Sequence, residues 1–333
     1  MSVSPQHHAV LSTPVEQVSA ERRPTPGPIA VLPNPKDVFV DAVRAGGGTV
    51  AELTSETRGV VWLSSKDASQ LTRVLAENPQ IEWVQLPWAG VDGFSAILPA
   101  YAGKALPLWT SAKGAYSQPV AEHTLALMLA LLREFPKRVV ATSWSTVKEG
   151  TSLFGLDVLI IGAGGIATEL IRMLEPFNVH ITVVRRSPVP MAGVERTLTV
   201  DHLDEVIPEA DVVVVAAAFT EGTSKLIGLQ QLVAMKPTAV LVNIARGGLV
   251  DTDALTAALA NGTIAGAGLD VTDPEPLTDG HPLWNESRVI ITPHSADTPA
   301  MTAPLLAERI RINVEAFLGD GRFVGIVDPA AGY

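Results

Sequence analysis

The chain of 333 residues contains no cysteine. That excludes disulfides, thiolate nucleophiles and cysteine-ligated metal, and it fits a reducing, cytoplasmic setting. Positive charge is scarce as well: 24 Lys and Arg stand against 35 Asp and Glu, a net charge of −11. A surface of that sign does not suit a general nucleic-acid binder or a protein held on acidic membranes. Long apolar runs are missing too. The most apolar stretch, Val120–Leu132, falls short of the roughly 20 residues a membrane span needs, and Glu122 and Arg133 bracket it. The N-terminal residues 1–27 are rich in Pro, Ser, Gln and Thr and hold no apolar segment of signal-peptide length. They read as a mobile tail, and the pair His7-His8 within them, without further ligands, closes no metal shell.

What is present is apolar bulk and glycine at particular places. Hydrophobic residues make up 47% of the chain, enough for two cores of ordinary domain size. The central stretch is Val158-Leu-Ile-Ile161-Gly162-Ala-Gly164-Gly165-Ile166-Ala167. Four apolar residues in a row read as a buried parallel strand. Gly162 permits a tight turn, Gly164 lets a pyrophosphate meet bare backbone, and a helix with Ile166, Leu170 and Leu174 on one face comes next. This is a G-x-G-x-x-A dinucleotide fingerprint. A plain strand–turn–helix would look the same, and the motifs further along the chain decide between the two.

Around it the pattern alternates. Strands are expected at 28–32, 59–63, 81–86 and 108–111, with helices at 37–44 and 67–78 between them. This first unit lacks a glycine fingerprint. A second series of strands is expected at 158–161, 179–184, 212–216, 239–243, 265–270 and 289–292, the six that two mononucleotide-binding halves require. A long helix over 298–319 would cross back to the first unit. The apolar helix 120–132 must be covered by protein, between domains or in a subunit interface; its His123 reads as a hydrogen-bonded packing residue.

The second strand of the later series ends in Val184-Arg185-Arg186-Ser187, with Arg185 standing 23 positions after Gly162. An acidic residue here would take the ribose 2′-hydroxyl of NAD, whereas arginine accommodates the 2′-phosphate of NADP. Two guanidiniums and a hydroxyl predict that NADP(H) is preferred, with NAD(H) still accepted.

Three pieces then stand at successive strand ends: Asn243-Ile-Ala-Arg246-Gly-Gly-Leu-Val-Asp251, Asp270-Val-Thr-Asp-Pro-Glu275-Pro-Leu and Thr292-Pro-His294. With the glycine loop and Val-Ala-Glu-His on the apolar helix, the chain resembles the D-isomer-specific 2-hydroxyacid dehydrogenases from about residue 80 onward. The resemblance implies a Rossmann domain inserted into a flavodoxin-like substrate domain, both doubly wound α/β parallel-sheet units. Residues 28–113 and 298–333 would form the substrate domain and 114–297 the dinucleotide domain.

It also implies roles. His294 would be the acid/base, Glu275 its partner and Arg246 the anchor for a substrate carboxylate. The backbone of Ala89, Gly90 and Val91, by local sequence an ordinary loop, would cradle that carboxylate too. Gly165 and Ile166 would meet the pyrophosphate and Arg185 the adenosine ribose. Ala217, Ala218 and Thr223 would line the adenosine side, and Ile244, Ala245, Arg246, Asp270 and His294 the nicotinamide side. The family's Pro-Leu-Thr is Ala218-Phe219-Thr220 here, which leaves the adenosine wall open, and its Gly-Lys is missing near Leu156-Asp157.

Trp88 and Trp284 are candidates for an aromatic wall that favours short substrates such as glyoxylate or hydroxypyruvate; core packing or a subunit contact is the alternative. The chemistry needs no metal: histidine exchanges protons near neutral pH, and arginine holds an anion and polarises a carbonyl. The expectation is therefore a cytoplasmic, homodimeric 2-oxo acid reductase with a small-molecule substrate. Its rivals are a phosphoglycerate-type dehydrogenase, disfavoured because little chain follows the crossing helix, a formate dehydrogenase, which would carry glutamine in place of Glu275, and a dinucleotide-sensing binding protein.

Overall fold

Strands of valine, isoleucine and leucine separated by helices fold into two parallel sheets in this computed structural model, which describes His7, residues 14–64 and residues 68–331. The chain divides into two units, one running to Tyr116 and resuming at Thr298, the other spanning Ser117–Asp297.

In the first unit, β1 (Val15–Gln17) precedes a four-stranded parallel sheet of β2 (Ile29–Leu32), β3 (Gly59–Trp62), β4 (Trp83–Gln85) and β5 (Leu108–Thr110), hydrogen-bonded in that order. A single bridge places Val50 parallel to Ile29 on the outer side of β2. Val50 therefore stands where a second strand would be, and the spatial order becomes that of a flavodoxin-like sheet, 2-1-3-4-5. The long helix Pro299–Leu318 belongs to this unit and packs on the helix Asp37–Ala45. The expected mobile tail is corrected from Val15 on. Val15–Gln17 pairs antiparallel with Arg322–Val324, and Val18 donates to the Gly321 carbonyl at 3.1 Å. An exposed three-residue strand without apolar alternation leaves no pattern to read. His8 and most of the tail before it lie outside the described residues.

The core of this unit mixes rings with buried polar groups. Trp62, Trp83 and Trp109 are each at most 1% exposed. Trp83 stacks on Phe317 at 5.1 Å, and its indole N–H donates to Thr110 Oγ1 at 2.9 Å. The Thr110 hydroxyl donates to Gln85 Oε1 (2.9 Å), which also accepts from Asn313 Nδ2 (2.8 Å). Asn313 clamps Val324 by both its N–H and its C=O. One turn earlier on the same helix, the buried Arg309 donates to the carbonyls of Ser111 and Lys113, each at 2.9 Å. Burial presses its pKa down to about 10.

The second unit holds seven parallel strands: β6 (Asp157–Ile161), β7 (His180–Val184), β8 (Arg196–Leu198), β9 (Val212–Val215), β10 (Val240–Asn243), β11 (Gly266–Leu269) and β12 (Val289–Ile291). Their spatial order is β12-β11-β10-β9-β6-β7-β8. This is the doubly wound dinucleotide-binding order with one further strand, and the sequence direction reverses between β6 and β9, the switch point where such sheets bind ligands. The expected set of six lacked β8. Arg196-Thr-Leu198 is short, sits at the sheet edge and is not fully buried, so no apolar run marks it.

The core is aliphatic. The four valines of β9 are fully buried, each worth up to ~1.5–3 kcal/mol by transfer from water. The apolar helix, Ser117–Leu132, is covered within this unit by the helix Gly165–Leu174 and by β10, β11 and β12. The small residues of β11 admit the helix closely, so much of its apolar surface is buried inside the unit, while Leu125 and Leu129 stay half-buried and Ala126 exposed. Among the described residues no helix is long and apolar enough to cross a membrane.

Candidate active site

The glycine loop joins β6 to the helix Gly165–Leu174. Gly162 has φ of +112°, and a Cβ there would lie 2.4 Å from the Ala216 carbonyl oxygen, so only glycine fits. Space is open around the Cα of Gly164, which caps the helix without a side-chain hydrogen bond. Bare backbone, room and a ten-residue helix with its first amides unclaimed by a capping side chain make a cradle that suits a pyrophosphate. Arg185 and Ser187 are half-buried and Arg186 exposed, just beyond β7, where the Arg185 N–H donates to the Leu198 carbonyl at 2.9 Å.

The loop after β9 carries Ala217 and Ala218. The Thr223 hydroxyl donates to the Ala218 carbonyl (2.9 Å) and accepts from the Thr220 N–H (2.8 Å). Thr223 therefore braces this loop with the group expected to face the cofactor. Phe219, standing in place of the family's leucine, covers Gly248, where a Cβ would come 2.8 Å from its ring.

The catalytic candidates all leave the same edge of the sheet. Asn243 ends β10, and its buried side chain holds the adjoining turn: Oδ1 accepts from the Ala245 N–H (3.1 Å) and Nδ2 donates to the Arg246 carbonyl (2.9 Å). Ile244 and Ala245 are buried, whereas Arg246 is half-exposed and donates to the Ala245 carbonyl at 2.7 Å. Asp251, a local alternative partner for Arg246, instead caps the helix Thr252–Ala260 and pairs with Lys225 at 3.0 Å. The bond from the Ala254 N–H, helped by Lys225, holds its carboxyl below the ordinary range.

After Arg246, Gly247 presses directly on the loop from β11. A Cβ at Gly247 would fall 1.9 Å from the Thr272 carbonyl oxygen. The Arg246 turn and the segment leading to Glu275 are thus in backbone contact.

Glu275 and His294 come together. His294 Nδ1 lies 2.7 Å from Glu275 Oε1, with both side chains roughly half-exposed. A carboxylate only accepts, so Nδ1 carries the proton and Nε2 is left for a reacting partner. His294 sits in the left-handed region, φ of +49°, a strained conformation for a residue with a Cβ.

Asp270 holds it there. This carboxylate is 2% exposed and accepts from the Thr292 hydroxyl (2.6 Å), the Ser295 N–H (2.9 Å) and the Ala296 N–H (3.1 Å), while its own carbonyl accepts from the His294 N–H (2.8 Å). Most of the capacity of Asp270 is spent on the turn. Asp297, just beyond, has its carboxyl raised by burial. Sequence reasoning missed the supporting roles of Asn243 and Thr292, although both stand beside the motifs that it used.

A family profile described as "D-isomer specific 2-hydroxyacid dehydrogenase, NAD binding domain" matches residues 125–296, more than half of the chain. The chain belongs to that family. Its members are NAD(P)-dependent oxidoreductases acting on small hydroxy and oxo acids.

This dehydrogenase is 42% identical over 264 residues to the "Uncharacterized protein in proB 3′region" of Corynebacterium melassecola, across 78% of this chain and 85% of that one. It is 34% identical over 222 residues to the glyoxylate reductase of Pyrococcus furiosus, spanning 62% of this chain and 65% of the reductase, just under two thirds of its length. Among solved structures, the D-isomer specific 2-hydroxyacid dehydrogenase from Xanthobacter autotrophicus in complex with NADPH and MES matches with a TM-score of 0.78 at 26% identity, covering 93% of this chain and 100% of that one.

Other expected site residues belong to the first unit of this dehydrogenase or to loops. After β4, Ala89 is exposed, Gly90 half-buried and Val91 buried. Trp88 is 39% exposed and meets Tyr116 edge-on at 6.1 Å. Trp284 is 49% exposed, and its indole N–H donates to the Thr278 carbonyl at 3.1 Å. No group of three or more His, Asp or Glu side chains able to hold a metal occurs among the described residues.

Proposed function

We propose that this dehydrogenase reduces short 2-oxo acids, glyoxylate or hydroxypyruvate, to D-2-hydroxy acids, with NADPH preferred over NADH. The observation that carries the reading is the His294–Glu275 pair at 2.7 Å, on the same sheet edge as Arg246. The glyoxylate reductase relative supports the substrate class, and the NADPH-bound neighbour together with Arg185 and Arg186 supports the cofactor.

The cradle at Gly162, Gly164, Gly165 and Ile166 would hold the pyrophosphate. Arg185, Arg186 and Ser187 would hold the 2′-phosphate, Ala217, Ala218 and Thr223 would border the adenosine side, and Ile244, Ala245 and Asp270 the nicotinamide side. When bound, the dinucleotide supplies the hydride. Arg246 binds the substrate carboxylate and draws electron density toward the carbonyl oxygen. The Nε2–H of His294 gives its proton to that oxygen as it becomes a hydroxyl, and Glu275 stabilises the imidazolium beforehand and keeps Nδ1 protonated afterwards. Ala89, Gly90, Val91, Trp88 and Trp284 are assigned to the substrate by family resemblance and side-chain character.

Absorbance at the reduced nicotinamide band tests this directly. Stoichiometric NADPH oxidation with glyoxylate or hydroxypyruvate is expected, with a higher kcat/KM for NADPH than for NADH. Cofactor binding without turnover across a panel of 2-oxo acids would replace the enzyme with a dinucleotide sensor, and a clear NADH preference would remove the role of the two arginines. In the Trp88→Ala variant, tolerance of longer substrates is expected, and an unchanged chain-length preference would reject a gating role.

Self-association belongs to the same proposal, through the apolar helix 120–132, whose Leu125 and Leu129 are only half-buried, and the segment that follows it. Between residues 135 and 154, Phe135, Val139, Val140, Trp144, Val147 and Phe154 are all more than half exposed, Trp144 at 95%. A second copy of the chain is the proposed cover for this segment. Light scattering should give a dimer; a monomer would remove the claim.

A further inference from the structure

His123 is half-buried on the helix Ser117–Leu132, four residues before Leu127 and eight before Leu131, on the same face. That face lies on β11. A Cβ at Gly268 would come 3.1 Å from Leu127 and 3.3 Å from Leu131, and one at Gly266 would come 3.4 Å from Leu131. The helix therefore runs back along the strand, in close approach that the small residues permit. One helical step of four residues advances ~6 Å, and two strand residues advance ~6.6 Å. Leu131 matches Gly266 and Leu127 matches Gly268, so His123 falls level with Asp270, where the strand ends.

The contacts agree. His123 Nε2 is 3.0 Å from Thr292 Oγ1 and 3.6 Å from Asp270 Oδ1. The Thr292 hydroxyl has one proton and directs it to Asp270 Oδ1 at 2.6 Å, so it accepts from His123, and Nε2 is the donor. A chain of two hydrogen bonds thus runs from the helix to the carboxylate that also receives the Ser295 and Ala296 N–H groups. Those amides belong to the turn that keeps His294 in its strained conformation.

We infer that His123 is a positioning residue of the acid–base site: through Thr292 and Asp270 it fixes the turn that presents His294. The inference rests on the reading of His294 as the acid–base group. It gives the family's Val-Ala-Glu-His segment a task in this chain that packing alone does not require, since leucine would fill the same face.

The test compares His123→Leu, which removes the donor, with His123→Gln, whose side-chain amide retains one. With glyoxylate and NADPH, kcat of the leucine variant should fall about tenfold, the scale of one lost hydrogen bond, while KM changes less than about twofold. The glutamine variant should recover most of the loss. Combining His123→Leu with Thr292→Val should cost little more than either change alone, because both cut the same chain.

A second measurement does not need turnover. Amide hydrogen exchange at Ser295 and Ala296 should quicken in His123→Leu, while exchange in β7, on the far side of the sheet, stays as in the wild type. An unchanged kcat, a glutamine variant no better than leucine, additive losses in the double variant, or unaltered exchange at Ser295 and Ala296 would each overturn the inference. If the wild type turned over none of the 2-oxo acids, the proposed reaction would fail, and the exchange measurement would still decide the role of His123.

Discussion

The two units solve the same problem, a parallel sheet covered by helices, with different materials. The dinucleotide-type unit has a main core of valine, leucine, isoleucine, alanine and methionine without a single aromatic ring. The smaller unit fills its core with Trp62, Phe94 and Trp109, and ties Trp83, Gln85, Thr110 and Asn313 into a buried polar network. A seven-stranded sheet of β-branched residues packs well by shape alone. The four-stranded sheet of the first unit has short strands, and large rings and directed hydrogen bonds fix how the long helix lies on it. The larger unit pushes polar chemistry to its strand ends, where it is available for catalysis, and the smaller one keeps polar groups inside, where they specify packing.

Three variants would break or sharpen that contrast. The largest effect is expected from His294→Ala. In its proposed role as general acid its loss should cost roughly 10²–10⁴-fold in kcat, and because His294 is half-exposed at a strand end, the unfolding midpoint should hardly move. Next is Asn313→Ala. It strands the Val324 N–H and C=O and removes one donor to Gln85, a loss of about 2–4 kcal/mol in urea unfolding. The three fully buried tryptophans lie in the first unit, whereas Trp144 and Trp284 of the other unit are exposed. Tryptophan fluorescence should therefore report this loss, while binding of the dinucleotide to the other unit persists. If fluorescence and far-UV circular dichroism shifted together, the two units would unfold as one.

The smallest effect is expected from Asp251→Ala. Removing this helix cap costs about 1 kcal/mol at neutral pH. The Asp251 carboxyl is held below its ordinary range in the folded chain. Its contribution is therefore complete above the unfolded carboxylate pKa of about 3.9 and disappears as pH falls through the folded value. Stability curves of wild type and variant should converge in acid. A constant gap down to the lowest pH would show that the charge of Asp251 contributes nothing.

Legibility in the sequence followed the same divide. The strands of the larger unit announce themselves as runs such as Val212–Val215, and the strand-end motifs carry residues whose chemistry is distinctive. What escaped was short, exposed or distant. Arg196–Leu198 and Val15–Gln17 are three-residue edge strands with no apolar signature. The helix 120–132 was readable as buried, but its cover was not, because glycines in a strand do not say which helix they admit. The bond between His123 and Thr292 joins residues 169 positions apart, and no local pattern encodes it. In the smaller unit the polar network is equally silent: Asn313 reads as an ordinary helix residue until its partners from two other segments, Gln85 and Val324, surround it.

The contact between Gly247 and the Thr272 carbonyl couples two stretches of chain that are usually thought of separately. Adding one methyl group at 247 would have to displace the stretch that bears the acidic partner of the imidazole, so an alanine there should register as damage to anion capture and proton delivery at once. A saturation library would then find position 247 intolerant even of its smallest replacement, although its own side chain takes no part in the reaction.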